Sequence, residues 1–246
     1  MNIVLLCAIG VGGATMLGAI LGFVFRSITH RASDAVLSFA AGVSFGAAVL
    51  GLILPSLEYG GSFGVYIAVI GILCGAACVN LLDRALPVAH KFLGTDGGCA
   101  RVDRILVFVM AMAIHNLPEG IAAGVGFGVG EVNAGIFIAL GIAIQNIPEG
   151  MVIIAPMISA GVSPGKSLMC AIATGFVEVI GTFIGYYAVT VAEVILPFSL
   201  AFAGGTMLYV VSDDMIPETH ADGNAHTSTY FLLVGFCLML LLSVLL

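Results

Sequence analysis

His115-Asn116-Leu117-Pro118-Glu119-Gly120 and Gln145-Asn146-Ile147-Pro148-Glu149-Gly150 are two copies of one six-residue cassette, 30 residues apart in otherwise apolar sequence. Each places a carboxylate, an amide and a helix-breaking proline at one point of what reads as a membrane helix. Ionisable groups are costly in a bilayer, and where they persist they mark an ion or proton path. The same cassette on two neighbouring helices therefore describes a cation site inside an all-α integral membrane protein.

The rest of the chain agrees. Of its 246 residues, 61% are hydrophobic and only 9% charged, and the mean hydropathy is +1.20, which excludes an ordinary soluble domain. There is room for about eight spans of ~20 residues with short connections, so residues 1–246 are read as a single transmembrane domain. The spans fall near 3–25, 35–57, 63–86, 104–128, 133–158, 166–191, 197–217 and 227–246. The one longer connection, about 87–103, carries Gly94, Gly97 and Gly98 and reads as a mobile loop. Met1-Asn2-Ile3-Val4-Leu5-Leu6 lacks a basic n-region, so the first apolar run is expected to be a retained helix rather than a signal peptide. Cys74 and Cys78, spaced i,i+4, read as small residues packing between helices rather than as a soft metal site. The net charge of −7 says little about partners, and no nucleic-acid partner is expected.

All seven basic residues fall on one side of this topology. Arg26 and Arg31 follow span 1; Arg84, Lys91, Arg101 and Arg104 bracket the third connection; Lys166 opens span 6. The alternate connections carry Glu58, Glu131 and Glu193. The positive-inside rule then puts both termini outside the cytoplasm of a multi-pass cell-membrane protein. A weak internal repeat is also present: Leu37-Ser38-Phe39-Ala40-Ala41-Gly42 echoes Leu200-Ala201-Phe202-Ala203-Gly204-Gly205, and each is followed by a proline near an acid, Pro55 with Glu58 and Pro217 with Glu218. Because spans 2 and 7 run in opposite directions, an inverted 3+2+3 repeat is expected, with the metal site between helices 4, 5 and 6.

On span 4, His115 and Glu119 are i,i+4 and Asn116 and Glu119 are i,i+3, so all three share one face. Gln145, Asn146 and Glu149 repeat that geometry on span 5. Pro118 and Pro148 free the carbonyls of Ile114 and Ile144, which suits a helix that lines a cavity or meets a metal. Span 6 adds a third mid-span acid, Glu178. A shared metal site is the reading taken for it, the alternative being a structural carboxylate hydrogen-bonded to another helix. Three acids with no Lys or Arg near them need protons or cations to balance them, so metal binding is expected to depend on pH. Imidazole, carboxylate and amide donors favour Zn²⁺, with Fe²⁺, Mn²⁺, Co²⁺ and Cd²⁺ as further candidates, over Cu(I). Incomplete coordination suits a transporter, because an ion held too tightly never leaves.

Gly124-Val125-Gly126-Phe127-Gly128 lacks the strand a phosphate loop needs and reads as close helix packing. Asp213, Asp214, Glu218, His220, Asp222 and His226 form an acidic, His-bearing inner end. It reads either as a solvated polar turn or as a place that catches released cations.

At these residues the chain resembles the ZIP family of divalent-metal transporters, in particular its GufA-like prokaryotic branch. The resemblance covers the whole length and is carried by the paired cassettes, the Phe-Ala-x-Gly segments of spans 2 and 7, and Val177-Glu178. It implies metal uptake toward the cytoplasm through a binuclear site, an elevator-like or rocking movement between two helix bundles, and a homodimer. By motif position, one metal would use His115, Glu119, Gln145 and Glu149. The second would use Asn116, Glu119, Asn146, Glu149 and Glu178, with the two cassette acids bridging. The chain departs from the family pattern at Gln145, where many relatives carry a second His, and at Asn146, where some carry Asp. Its 87–103 loop holds only His90.

The competing readings are a channel-like divalent-cation pore, a broad Fe, Mn and Cd transporter, a membrane metal sensor and an intramembrane metalloenzyme. The last is disfavoured by the lack of His-Glu-x-x-His and of a nucleophile beside a base in either cassette, so the chain is not expected to be an enzyme.

Overall fold

The computed structural model describes residues 2–24, 29–92, 113, 116–127, 132–159, 162–191, 193–221 and 223–245, with the backbone alone at 83, 85–92, 152, 155, 156, 159 and 193. Every regular element among the described residues is helical. A helix satisfies its own backbone donors and acceptors, which lipid cannot do for it. In chain order the α-helices are α1 (Asn2–Val24), α2 (His30–Gly46), α3 (Leu54–Tyr59), α4 (Gly64–Phe92), α5 (116–126), α6 (Val132–Ser159), α7 (Pro164–Val191), α8 (Leu196–Val210), α9 (Ile216–His220) and α10 (Ala225–Leu245). Thr29 caps α2 by accepting from the Ala32 amide at 3.3 Å.

Six helices among the described residues are long and apolar enough to cross a membrane: Asn2–Val24, His30–Tyr59, Gly61–Leu82, Val132–Met151, Pro164–Val191 and Ala225–Leu245. The chain is thus a multi-pass membrane protein. Of the two further expected spans, the fourth is described only at 113 and 116–127, where it forms α5. The seventh corresponds to α8 and α9, which carry or flank Asp213, Asp214 and Glu218 and are not among the six. The connection expected from residue 87 begins later, because α4 continues through Pro87 to Phe92; residues 93–103 lie outside the described set. Cys74 is exposed, so it does not pack between helices of this chain as expected, whereas Cys78 is half-buried.

Two helices contain a widened turn of the same kind in the same context. α2 passes through a π-helical segment, Ala47–Ile53, into α3, whose second residue is Pro55. α8 passes through Val211–Met215 into α9, whose second residue is Pro217. At the exits, the Leu54 amide bonds the Val49 carbonyl and the Ile216 amide bonds the Val211 carbonyl, both i to i−5. Widening the turn before each proline gives its ring room that a regular turn denies it.

The most extensive helix pairings are α1 with α6 and α7, α4 with α8, and α2 with α10. They sort the chain into two groups, α1–α5–α6–α7 and α2–α3–α4–α8–α9–α10. Between them lies a buried apolar core that includes Leu52, Ile138, Ile142, Leu200, Met207 and Met239. Inside the first group, main chain meets main chain at glycine. A Cβ on Gly12 would overlap the Gly175 carbonyl oxygen, and one on Gly175 the Gly12 oxygen. Gly18 and Gly22 of α1 abut Ile147 and Met151 of α6, while Gly181 and Gly185 of α7 abut Leu117 and Ile121 of α5. Close approach through small residues is the usual way helices associate in lipid, where apolar surface gains nothing by leaving the solvent.

Candidate metal centre

Four helices of the first group converge on Glu178 of α7, which is fully buried. Its Oε1 accepts from the Thr15 hydroxyl of α1 at 2.5 Å and from Asn116 Nδ2 of α5 at 2.6 Å. Its Oε2 accepts from Asn146 Nδ2 of α6 at 2.6 Å. The same Asn146 amide group also donates to the Val11 carbonyl at 3.3 Å. One helical turn further along α5, Gln145 Nε2 donates to Glu119 Oε1 and so ties the two cassettes together.

The cassette glycines explain how the helices come so near. A Cβ on Gly120 would strike the backbone of Glu178, and one on Gly150 the backbone carbonyl of Thr15. Each cassette therefore lays its acid beside a helix that reaches the site from outside the cassette pair. The helix α6 runs unbroken through Pro148.

These hydrogen bonds commit the donors and leave acceptors over. Among the described residues, six buried side-chain polar atoms have no hydrogen-bond partner; four are the cassette oxygens Glu119 Oε2, Gln145 Oε1, Asn146 Oδ1 and Glu149 Oε1, so the deficit is concentrated here. Burying one such atom without a partner costs about 1–3 kcal/mol. Four acceptors and no donors is the pattern left by a site whose complement is a cation rather than another part of the chain.

The sequence-derived residues are thus placed as follows. Asn116, Glu119, Gln145, Asn146 and Glu178 are buried and joined by the hydrogen bonds above, and Glu149 is buried with Oε1 unpartnered. His115 lies outside the described residues. Among the described residues, no three His, Cys, Asp or Glu side chains approach closely enough to enclose one metal ion. The alternative weighed for Glu178, a carboxylate bonded to another helix, matches its three side-chain donors. Sequence reading missed Thr15; its signal was a hydroxyl alone among Gly12, Gly13, Ala14 and Met16 in an apolar helix.

Among the described residues, the acids and histidines between α8 and α10 that were expected at the inner end are not gathered into a comparable centre. Asp213, Asp214 and Glu218 are exposed. His220 bonds the Ile216 carbonyl through Nδ1 at 2.8 Å and meets Thr229 Oγ1 through Nε2 at 3.2 Å, so both ring nitrogens are occupied locally. Asp222 lies outside the described residues. Close packing, expected for the 124–128 glycines, holds for Gly124, which abuts the Thr182 carbonyl, and for Gly126, which abuts Ile138.

A multi-pass helical membrane protein with a buried carboxylate and amide cluster at its centre is the class that the fold and site define. A family model described as ZIP Zinc transporter matches residues 95–243, and the chain belongs to that family. It is 36% identical to the zinc transporter ZIPB of Bordetella bronchiseptica over 93% of this chain and 76% of that protein. To the zinc transporter GufA of Myxococcus xanthus it is 40% identical over 64% of this chain and 62% of that protein. To the zinc transporter ZIP11 of Xenopus tropicalis it is 45% identical over 57% of this chain and 44% of that protein. The matched region thus spans less than two thirds of GufA and under half of ZIP11.

Proposed function

We propose that this chain carries divalent metal cations, Zn²⁺ foremost, across the cell membrane into the cytoplasm. The observation that carries the proposal is the set of four buried, unpartnered oxygens on the paired cassettes. Family membership and the names of the relatives, all zinc transporters, support the same substrate.

In this reading Glu119, Gln145 and Glu149, with His115, seat one cation. Gln145 turns its NH₂ to Glu119, which leaves its own carbonyl oxygen and Glu119 Oε2 to the ion. Asn116, Asn146 and Glu178 extend the seat toward a second position bridged by Glu119 and Glu149. Glu178 Oε2, which among the described residues takes only the Asn146 donor, is its available atom. A mixture of carboxylate, amide and imidazole donors suits Zn²⁺ and admits Fe²⁺, Mn²⁺, Co²⁺ and Cd²⁺. Neutral amides in place of further charged ligands keep the ion exchangeable.

The wider architecture proposed is eight spans with both termini outside the cytoplasm, an inverted 3+2+3 repeat and a homodimer. The glycine contacts support the repeat. Gly12, Gly18 and Gly22 are matched by Gly175, Gly181 and Gly185 at the separation of 163 residues that also relates Thr15 to Glu178. In the second group, Gly42 abuts Leu232 as Gly205 abuts Ile72, and Gly75 abuts Phe202 as Gly235 abuts Phe39. Two helix groups with an apolar core between them also suit alternating access by relative movement of the groups.

The test is metal influx into proteoliposomes, comparing Zn²⁺, Cd²⁺, Mn²⁺ and Fe²⁺. Saturable flux that disappears in Glu119→Ala and Glu149→Ala is the expected result. Wild-type flux through a folded Glu119→Ala protein would overturn the site.

A further inference from the structure

The geometry points to Thr15 as a positioning residue of the cation site, one that sets its affinity by holding Glu178 and, through Glu178, the Asn146 amide. The inference deepens the reading of the site given above and rests on it.

Thr15 reaches the centre from α1, a helix that bears neither cassette. Its side chain is 1% exposed and its hydroxyl donates at 2.5 Å to Glu178 Oε1. A carboxylate at the end of a flexible side chain has a broad terminal torsion, so without fixed donors the plane of the group is free to turn. Thr15 and Asn116 fix Oε1 from two sides, and this sets where Oε2 lies. Asn146 then aligns its NH₂ on Oε2 and on the Val11 carbonyl, one turn before Thr15 on the same helix. An amide is planar with its oxygen and nitrogen on one trigonal carbon, so committing the NH₂ fixes the direction in which Oδ1 points. Asn146 Oδ1 is one of the four buried oxygens without a partner. The chain of control runs from a hydroxyl on α1 to a cation-facing oxygen on α6.

The placement of Thr15 is built into the packing. Gly12 and Gly175 interlock one turn before Thr15 and Glu178, and Gly150 of the second cassette lies against the Thr15 carbonyl. Thr15 and Glu178 are separated by 163 residues, as are Gly12 and Gly175, so they hold equivalent places on α1 and α7. A carboxylate at both places would set two like charges face to face. A hydroxyl donor at one and a carboxylate acceptor at the other converts that meeting into a hydrogen bond.

Outer-shell partners that orient a metal ligand commonly alter affinity by 10–100-fold when removed. The experiment measures zinc uptake in proteoliposomes and zinc binding by calorimetry for the full chain and for Thr15→Val, Thr15→Ala and Thr15→Ser. Thr15→Val keeps the shape and loses the hydroxyl. It should raise KM and the binding constant Kd about tenfold while the maximal rate changes by less than about threefold. Thr15→Ser restores the donor and should return both constants to within about twofold of the wild type. Wild-type constants in Thr15→Val, or equal impairment in Thr15→Ser, overturn the inference. If Thr15→Val does not fold, Thr15→Ala carries the same expectation; failure of both to fold beside a folded Thr15→Ser assigns the residue to structure alone and also overturns it. Absence of saturable zinc binding by the unmodified chain removes the proposed site and this inference together, whereas binding that Thr15→Val leaves unchanged removes only the inference.

Discussion

Gly12 on α1 and Gly175 on α7 occupy each other's side-chain space: a Cβ on either would overlap the carbonyl oxygen of the other. This reciprocal contact brings α1 against α7 one turn from the Thr15–Glu178 hydrogen bond. It makes the position of the buried acid depend on a residue with no polar group at all.

Gly12→Ala should therefore destabilise the folded protein by about 1–3 kcal/mol, the range for forcing extra atoms into a packed interior. Gly13→Ala is the matched control. A Cβ there meets nothing within 4 Å, and alanine is the better helix former. Thermal unfolding in detergent should show a lowered midpoint for Gly12→Ala and none for Gly13→Ala. Equal midpoints would mean that α1 and α7 separate readily.

Gln145→His exchanges an amide oxygen for an imidazole nitrogen at the cassette position where the first copy has His115. Imidazole is the better ligand for Zn²⁺. Zinc should bind about tenfold more tightly, a change of ~1.4 kcal/mol, and leave more slowly. The check is a zinc titration alongside uptake: lower KM with a lower maximal rate. A weaker affinity would place Gln145 away from the ion, as a partner of Glu119 only.

Glu149→Gln preserves shape and removes one charge. Uptake should fall to background while the metal-free protein keeps or gains stability, since a buried carboxylate is a cost that an amide lessens. In the unmodified chain, zinc at 100 times its dissociation constant should stabilise the fold by about 2.7 kcal/mol. Differential scanning with and without zinc should show that increment abolished in the variant. A full zinc-induced shift in Glu149→Gln would exclude Glu149 from the seat.

The second helix group offers a contrast. Asn80 Nδ2 of α4 donates to the Tyr209 hydroxyl of α8 at 2.6 Å. Interhelical hydrogen bonds of this kind contribute about 0.6 kcal/mol on average in membrane proteins. Tyr209→Phe should lower unfolding stability by roughly that amount and leave the KM for zinc unchanged. A shift in KM would show that the α4–α8 pairing communicates with the distant cassettes.

How far these relationships could be read from sequence depended on what kind of signal each leaves. The cassettes were legible because a carboxylate, an amide and a proline have no other reason to recur together in apolar sequence. Glu178 was legible as a lone acid, but its three donors were not, because nothing in the linear order says that α1 reaches it. Thr15 was missed for that reason: threonine is common in membrane helices and its partner lies 163 residues away. The Phe-Ala-x-Gly segments suggested the repeat proposed above, whereas Gly12, Gly18 and Gly22 and their counterparts Gly175, Gly181 and Gly185 sit in no shared motif that marks them in linear order. The continuation of α4 to Phe92 was missed because Pro87 reads as a stop, although prolines can sit inside membrane helices.

Glycine is used differently at the boundary between the two groups. Within the first, glycines joining α1 to α6 and α7 and α5 to α7 press main chain on main chain, which leaves no rotamers to rearrange. Across the boundary, Gly51 faces the side chains of Ile138 and Phe137, and Gly141 faces the terminal methyl of Met239. Carbonyl against backbone is a joint with one setting; methyl and ring against glycine is a bearing surface that can adopt several. The contacts around the polar centre thus leave no side-chain freedom, whereas those at Gly51 and Gly141 are made by side chains that have alternative rotamers.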